Sequence, residues 1–184
     1  MMPSQNAGSS EEEFQKMNVS DAEMLKKIRQ TFSSRKMPKS QLVSKNFDLG
    51  HHQEARRVEE YLRKNESIID RSNSALVAFN YVTAQTALWI LPSYMQSIIE
   101  NFRNDDLMID LLFGALASGM PNADFSAQKD LGLRMKAIAT DDEAKMICEF
   151  CHWLELKINE ESLLSTSRAA IHLWCKLSGD HSPF

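Results

Sequence analysis

The sequence lacks any apolar run long enough to cross a membrane, since no stretch of about 18 consecutive apolar residues occurs in it. Its N-terminus also lacks the apolar core that a secretory signal peptide needs. These two absences predict a cytoplasmic protein that does not bind membranes.

Cysteine is scarce. The 184 residues include three cysteines, an odd number, and no export signal accompanies them. This predicts reduced thiols in a reducing compartment rather than a disulfide framework. Cys148, Cys151 and Cys175 are then either small buried apolar residues or metal ligands.

Positive charge is in deficit overall, because the formal net charge is -4 at pH 7. The resulting field repels phosphate backbones, which argues against nucleic acid as a partner. One stretch departs from this balance: from Lys26 to Lys45 there are seven Lys or Arg and no acid. It is typical of solvated helix and loop charges, and it could also bind an acidic partner.

Four common enzyme signatures are absent: G-x-x-x-x-G-K, G-x-G-x-x-G, G-x-S-x-G and H-E-x-x-H. Acidic clusters at 105–110 and 141–143 fit helix N-termini, where carboxylates oppose the macrodipole. The sequence therefore leans against an enzyme without excluding catalysis by paired carboxylates.

What is present points to helices. Hydrophobic residues make up 43% of the chain and charged residues 25%, close to globular averages. The polar segment 1–19 has few apolar groups and is predicted to be a disordered tail. Residues 20–184 are predicted to form a single all-α domain, an irregular bundle of about six to eight helices. Apolar spacing and capping patterns predict helices at about 20–33, 51–63, 67–79, 83–102, 105–117, 140–158 and 163–177.

Three details of this pattern stay open. Pro92 either kinks the helix that begins after Thr83 or starts a new one. Residues 120–139 are ambiguous, because the apolar residues Leu131, Leu133, Met135 and Ile138 nearly alternate with other residues. The connection 35–49 carries Leu42, Val43 and Phe47, which could pack against the core.

The order of several phrases resembles an uncharacterised family of small bacterial all-helical proteins. The matching parts are Ile28 to Phe32, the run from Val82 to Tyr94 with its Leu-Pro-x-aromatic ending, the leucine-rich Leu107 to Leu116, and Phe150 to Leu154. The resemblance covers about three quarters of the chain and implies a bacterial, all-helical domain of unknown function. These motifs concern packing, so the resemblance implies no activity.

Residues 148–152 spell C-x-x-C-H, the attachment pattern of c-type haem. Haem attachment requires export in most bacteria, and the two cysteines lie on an apolar stripe with Ile147 and Leu154. The interpretation preferred here is that Cys148 and Cys151 are buried core residues.

Zinc is the sharper alternative. Cys148 and Cys151 form one i,i+3 pair, and His172 with Cys175 forms another on the next predicted helix. A packed helical hairpin could bring these four residues together as a Cys₃His tetrahedron. Core packing explains the same residues without a metal, so no cofactor is the first expectation.

A second candidate for proton transfer or metal binding is His51 with Glu54 at the start of a helix. No third ligand accompanies them, and solvent-exposed residues in a first helical turn explain the pattern more simply.

The leading functional hypothesis is a non-enzymatic helical module that binds another protein as a regulator or as an immunity protein. It is based on the missing catalytic signatures, the acidic surface, and four bulky aromatic residues that could form a patch: Trp89, Phe102, Trp153 and Phe184. The alternative is a metal- or small-molecule-binding helical protein with the Cys₃His site. Neither hypothesis identifies the partner or the oligomeric state.

Overall fold

The structure is a computed structural model that describes residues 20–44, 51–64, 77–102, 107–120, 128–159 and 161–175. Within these residues there are seven α-helices and no strand, apart from an isolated antiparallel bridge between Val43 and Val82. The helices are α1 (Asp21–Thr31), α2 (His52–Lys64), α3 (Ala84–Glu100), α4 (Leu107–Ala117), α5 (Leu131–Ile138), α6 (Asp141–Glu155) and α7 (Glu161–Trp174).

The predicted all-α class is confirmed, as is the expected number of helices. None of the described helices is long and apolar enough to cross a membrane. The predicted tail 1–19 lies outside the described residues, as do Phe47 and most of the predicted helix 67–79. The described end of that last segment forms a short 3-10 turn, Ala78–Asn80.

Side-chain caps begin three of the helices where the sequence predicts them. Ser20 accepts a hydrogen bond from the backbone N–H of Glu23, and Thr83 accepts one from Thr86. Thr140 and Glu143 form a complete capping box at the start of α6, because each side chain accepts from the other's backbone N–H. Caps of this kind satisfy N–H groups that have no partner within the helix.

Pro92 lies inside α3, which continues without interruption to Glu100. The sequence allowed a kink or a new helix here. Buried residues of this helix lie on both sides of Pro92, from Ala87 to Ile99. The free energy of their packing outweighs the loss of the hydrogen bond that proline removes.

The centre of the core is α4, which packs against α3, α5 and α7 and against the 3-10 turn. Nearly every residue of this helix after Leu107 is buried or half-buried, in keeping with its central position. Trp174 at the end of α7 is buried and donates its indole N–H to the carbonyl of Leu116 at 3.0 Å. This bond fixes the end of α7 against the end of α4.

The segment 120–139, ambiguous in sequence, contains the short helix α5. A Cβ atom at Gly132 would lie 2.6 Å from the carbonyl oxygen of Leu116, so only glycine allows this approach of α5 to α4. Gly119 has φ of 99°, a left-handed conformation that ends the preceding helix. The ambiguity arose because tertiary contacts, rather than apolar periodicity, position α5.

Candidate functional site

Two helices that pack on each other, α6 and α7, carry the three cysteines. Cys148 in the middle of α6 forms a disulfide with Cys175, which follows the last residue of α7, and their Cα atoms are 5.1 Å apart. The expectation of three reduced thiols was therefore wrong for these two residues. An odd count excludes a complete set of disulfides, but it does not exclude one pair.

His152 completes a cluster with this disulfide. It lies one helical turn after Cys148 on α6, and residues four apart on a helix share a face. Its Nε2 atom is 3.4 Å from Sγ of Cys175, and the donor atoms of Cys148, His152 and Cys175 all lie within 4.8 Å of one another. All three residues are half-buried, unlike Cys151, which is fully buried.

A carboxylate lies on the other side of the imidazole. Oε2 of Glu155 is 3.9 Å from Nδ1 of His152, and Oε1 of Glu155 is 3.6 Å from Nε of Arg168. Burial lowers the pKa of His152, while the charge of Glu155 opposes that shift. The neutral form, which can offer a nitrogen lone pair, is thereby favoured near neutral pH.

Cys151 is a free thiol with a fully buried side chain. Burial, with a smaller contribution from the charge of Glu155, raises its pKa far above the ordinary value for a thiol. A thiol that stays protonated is a poor nucleophile and a poor metal ligand. Cys151 therefore serves as a core residue, as the preferred interpretation of the C-x-x-C-H motif predicted. The same prediction was wrong for Cys148, which is half-buried and disulfide-bonded.

Of the four predicted zinc ligands, the structure brings together Cys148 and Cys175. Cys151 lies in the core, and His172 is exposed on α7; neither belongs to the cluster of three donors. The histidine that does join the two sulfurs is His152, which the sequence pairs with the haem motif. A signal for it was present, because 148 and 152 have the i,i+4 spacing of two ligands on one helical face.

The other end of α6 carries a buried ion pair. Glu143 is almost fully buried and accepts two hydrogen bonds from Arg35, with Nη2 to Oε2 at 2.7 Å. Burial by itself would raise the pKa of Glu143, but the bonds from Arg35 and from the backbone of Thr140 outweigh it, and the pKa is lowered. Arg35 also donates to the carbonyl of Ile138 at 3.1 Å. This cluster connects the segment that follows α1 with α5 and α6, and its role is structural.

The basic stretch 26–45 is therefore partly used inside the fold. Arg35 pairs with Glu143, Lys27 pairs with Glu149 on α6 at 3.2 Å, and Arg29 lies 3.7 Å from Glu100 on α3. Lys36 and Lys39 are exposed and have no ion-pair partner among the described residues. Solvated charge accounts for only part of the stretch, since three of its cations join helices.

In the second candidate pair, His51 and Glu54, each residue has a contact with another side chain. Nδ1 of His51 lies 3.4 Å from the hydroxyl of Tyr81, and the carboxylate of Glu54 accepts a hydrogen bond from Arg57 at 3.2 Å. In the described part of the chain, the donors that could hold a metal are those of Cys148, His152 and Cys175.

The aromatic patch suggested by the sequence does not assemble from the residues described. Trp153 is buried against Phe150, whereas Trp89 and Phe102 are half-buried against the core. Phe184 lies outside the described residues. Comparison of the chain with protein-family models, with curated proteins and with solved structures finds no match.

Proposed function

We propose that this chain is a non-enzymatic helical protein that binds another protein through an exposed face of α5. The observation that supports the proposal is a set of apolar side chains open to solvent: Leu133 is 44% exposed, Ile138 is 41% exposed, and Ala137 between them is also exposed. These three residues are called the α5 face below. The free energy falls when a partner covers exposed apolar groups of this kind.

The charge beside the α5 face indicates the chemistry of the partner. Arg35 donates to the carbonyl of Ile138, so the segment that follows Arg35 begins next to this face. Lys36 and Lys39 in that segment are exposed cations without an ion-pair partner in the described chain. A partner segment that presents apolar side chains next to carboxylates would complement both features.

The partner is therefore proposed to be a protein with an acidic, amphipathic segment. The two lysines by themselves would also attract the phosphates of a nucleic acid. The net charge of -4, however, disfavours nucleic acid as a partner. The apolar α5 face distinguishes a protein partner from a nucleic acid. A protein partner buries apolar surface in the interface, whereas a phosphate backbone does not.

The test is affinity capture from the native cell with the full chain and two matched variants. Replacing Ala137 and Ile138 together by Gln should remove the captured partner, and the Lys36→Glu variant should weaken its capture and reduce the salt dependence. The control is Leu156→Gln, because Leu156 is 74% exposed and lies elsewhere, after α6. Two outcomes would contradict the proposal. One is that Leu156→Gln loses the partner as completely as the Ala137→Gln/Ile138→Gln variant does. The other is that the Ala137→Gln/Ile138→Gln variant still captures the partner.

The alternative function, a metal- or small-molecule-binding protein with a Cys₃His site, has less support in its predicted form. Two of its four residues meet, and the buried Cys151 and exposed His172 lie apart from them. Elemental analysis of the purified protein tests that alternative independently of any partner.

A further inference from the structure

The cluster on α6 and α7 has the donor set of a metal site and shares no residue with the α5 face. Cys148 and His152 project from one face of α6, and Cys175 meets them from the end of α7. Two thiolates and one imidazole are ligands that zinc prefers. Their donor atoms lie within 4.8 Å of one another in the disulfide-bonded chain. The packing of α6 on α7 holds the three residues next to one another.

A second observation concerns the orientation of the imidazole. The carboxylate of Glu155 faces Nδ1 of His152, whereas Nε2 faces the sulfur of Cys175. At 3.9 Å the carboxylate is too far from Nδ1 for a hydrogen bond, but its negative charge favours the tautomer with the proton on Nδ1. That tautomer directs the lone pair of Nε2 toward the sulfurs. Metal-binding histidines are commonly oriented in this way by a carboxylate on the opposite ring nitrogen.

We propose that, once the disulfide is reduced, Cys148, Cys175 and His152 bind one Zn²⁺ ion, with Glu155 as the positioning residue for the imidazole. Bond lengths of about 2.3 Å to sulfur and about 2.1 Å to nitrogen are typical of zinc. The two sulfurs, which are bonded to each other in the oxidised chain, move apart on reduction to reach these distances. The Cα atoms of the two cysteines are 5.1 Å apart, so side-chain rotation brings both sulfurs to a common ion.

The two states are connected by thiol–disulfide exchange. A dithiol reductant attacks the Cys148–Cys175 bond, supplies two electrons and two protons, and leaves as its own disulfide. Zn²⁺ then displaces one proton from each cysteine thiol and accepts the Nε2 lone pair, so two protons are released for each ion bound. The exchange run in reverse, with the oxidised reductant, restores the disulfide and releases the ion.

The consequence for the fold is that α6 and α7 are joined in both states. The disulfide links them in the oxidised chain, and the metal links them in the reduced chain. Three protein ligands leave one position of a tetrahedron open, which water fills. This differs from the predicted Cys₃His site, in which four protein ligands close the coordination sphere.

The experiment is titration of the full chain with Co²⁺ and then Zn²⁺, without oxygen, in a reduced and an oxidised sample. The reduced chain should bind about one equivalent of metal and show a sulfur-to-cobalt charge-transfer band. The oxidised chain should show neither. Zinc should raise the midpoint of thermal unfolding of the reduced chain only, which is a readout of the same site through stability.

Variants identify the ligands. Cys175→Ser should abolish the charge-transfer band or reduce it strongly. Glu155→Gln should lower the affinity for metal by about 10- to 100-fold. His152→Ala should lower that affinity further. His172→Ala is the matched control and should bind metal like the original chain, because His172 is exposed outside the cluster. Circular dichroism checks that each variant folds.

Three results would overturn the proposal, and none depends on the partner-binding function. The first is a folded, reduced chain that binds less than about a tenth of an equivalent. The second is unchanged binding in folded Cys175→Ser or His152→Ala. The third is a loss in His172→Ala equal to that in His152→Ala, which would show that His152 has no specific role as a ligand.

Discussion

The two ends of α6 use polar residues in opposite ways. At the N-terminal end, Glu143 is almost fully buried, and its carboxylate oxygens are occupied by Arg35 and by the backbone of Thr140. At the C-terminal end, Cys148 and His152 are half-buried and meet Cys175 in an accessible cluster. Full burial with satisfied partners gives stability, whereas partial exposure leaves donors available for chemistry.

The largest expected effect is at the N-terminal end. Arg35→Ala leaves the carboxylate of Glu143 buried without its cation, and we expect the free energy of unfolding to fall by about 4 kcal/mol. Chemical denaturation measures this change. The control is Lys27→Ala, which breaks a more exposed pair with Glu149 and should cost less than about 1 kcal/mol. Equal losses in the two variants would contradict the structural role of the buried pair.

Reducing the disulfide at the C-terminal end of α6 should lower the free energy of unfolding somewhat less than Arg35→Ala does. The disulfide closes a loop with a sequence separation of 27 residues. Reduction in the absence of metal should lower the free energy of unfolding by about 3.5 kcal/mol on the chain-entropy model. Denaturation with and without a phosphine reductant measures this, and the Cys148→Ser/Cys175→Ser double variant should be insensitive to the reductant. A reductant effect of the same size in that variant would refute the assignment.

Cys151 tests the boundary between the two ends, since it is a core residue within the reactive sequence motif. Cys151→Ser places a hydroxyl in an apolar environment and should cost about 2 kcal/mol, whereas Cys151→Ala should cost less. Thermal unfolding compares the two variants. Serine tolerated as well as alanine would indicate that the side chain reaches water or a polar partner.

Acid should weaken the N-terminal end selectively. The pKa of Glu143 in the folded chain lies below the ordinary value of 4.5, so its pairing contributes stability above that pH and loses it as the pH falls. Stability measured below pH 4.5 should therefore decline less steeply in Arg35→Ala than in the original chain. Identical slopes would show that this carboxylate does not control the acid response.

The fold was predictable to the extent that it depends on local patterns. Caps at Ser20, Thr83 and Thr140, and the glycine that ends α4, are encoded within a few residues, so the helices begin and end close to the predicted positions. The helix α5 was missed because its position depends on Gly132 fitting against the carbonyl groups of α4, which no local period reveals.

The candidate site was half predictable for the same reason. The i,i+3 spacing within each helix placed Cys148 and Cys175 in one predicted site, and these two residues do meet. Spacing alone could not decide whether His152 or His172 lies beside their sulfurs. That choice depends on which face of each helix meets the other, and the packing of α6 on α7 turns His172 toward solvent. The pairing of Arg35 with Glu143 was missed because 108 residues separate them in sequence.

The contrast between accessible and shielded sulfurs is tested most directly by alkylating the folded chain with iodoacetamide after mild reduction without metal, and locating the adducts by mass spectrometry. We expect rapid modification of Cys148 and Cys175, no modification of Cys151 until the chain unfolds, and protection of the first two when one equivalent of Zn²⁺ is present. Modification of Cys151 in the folded chain at the rate of the other two would contradict the account.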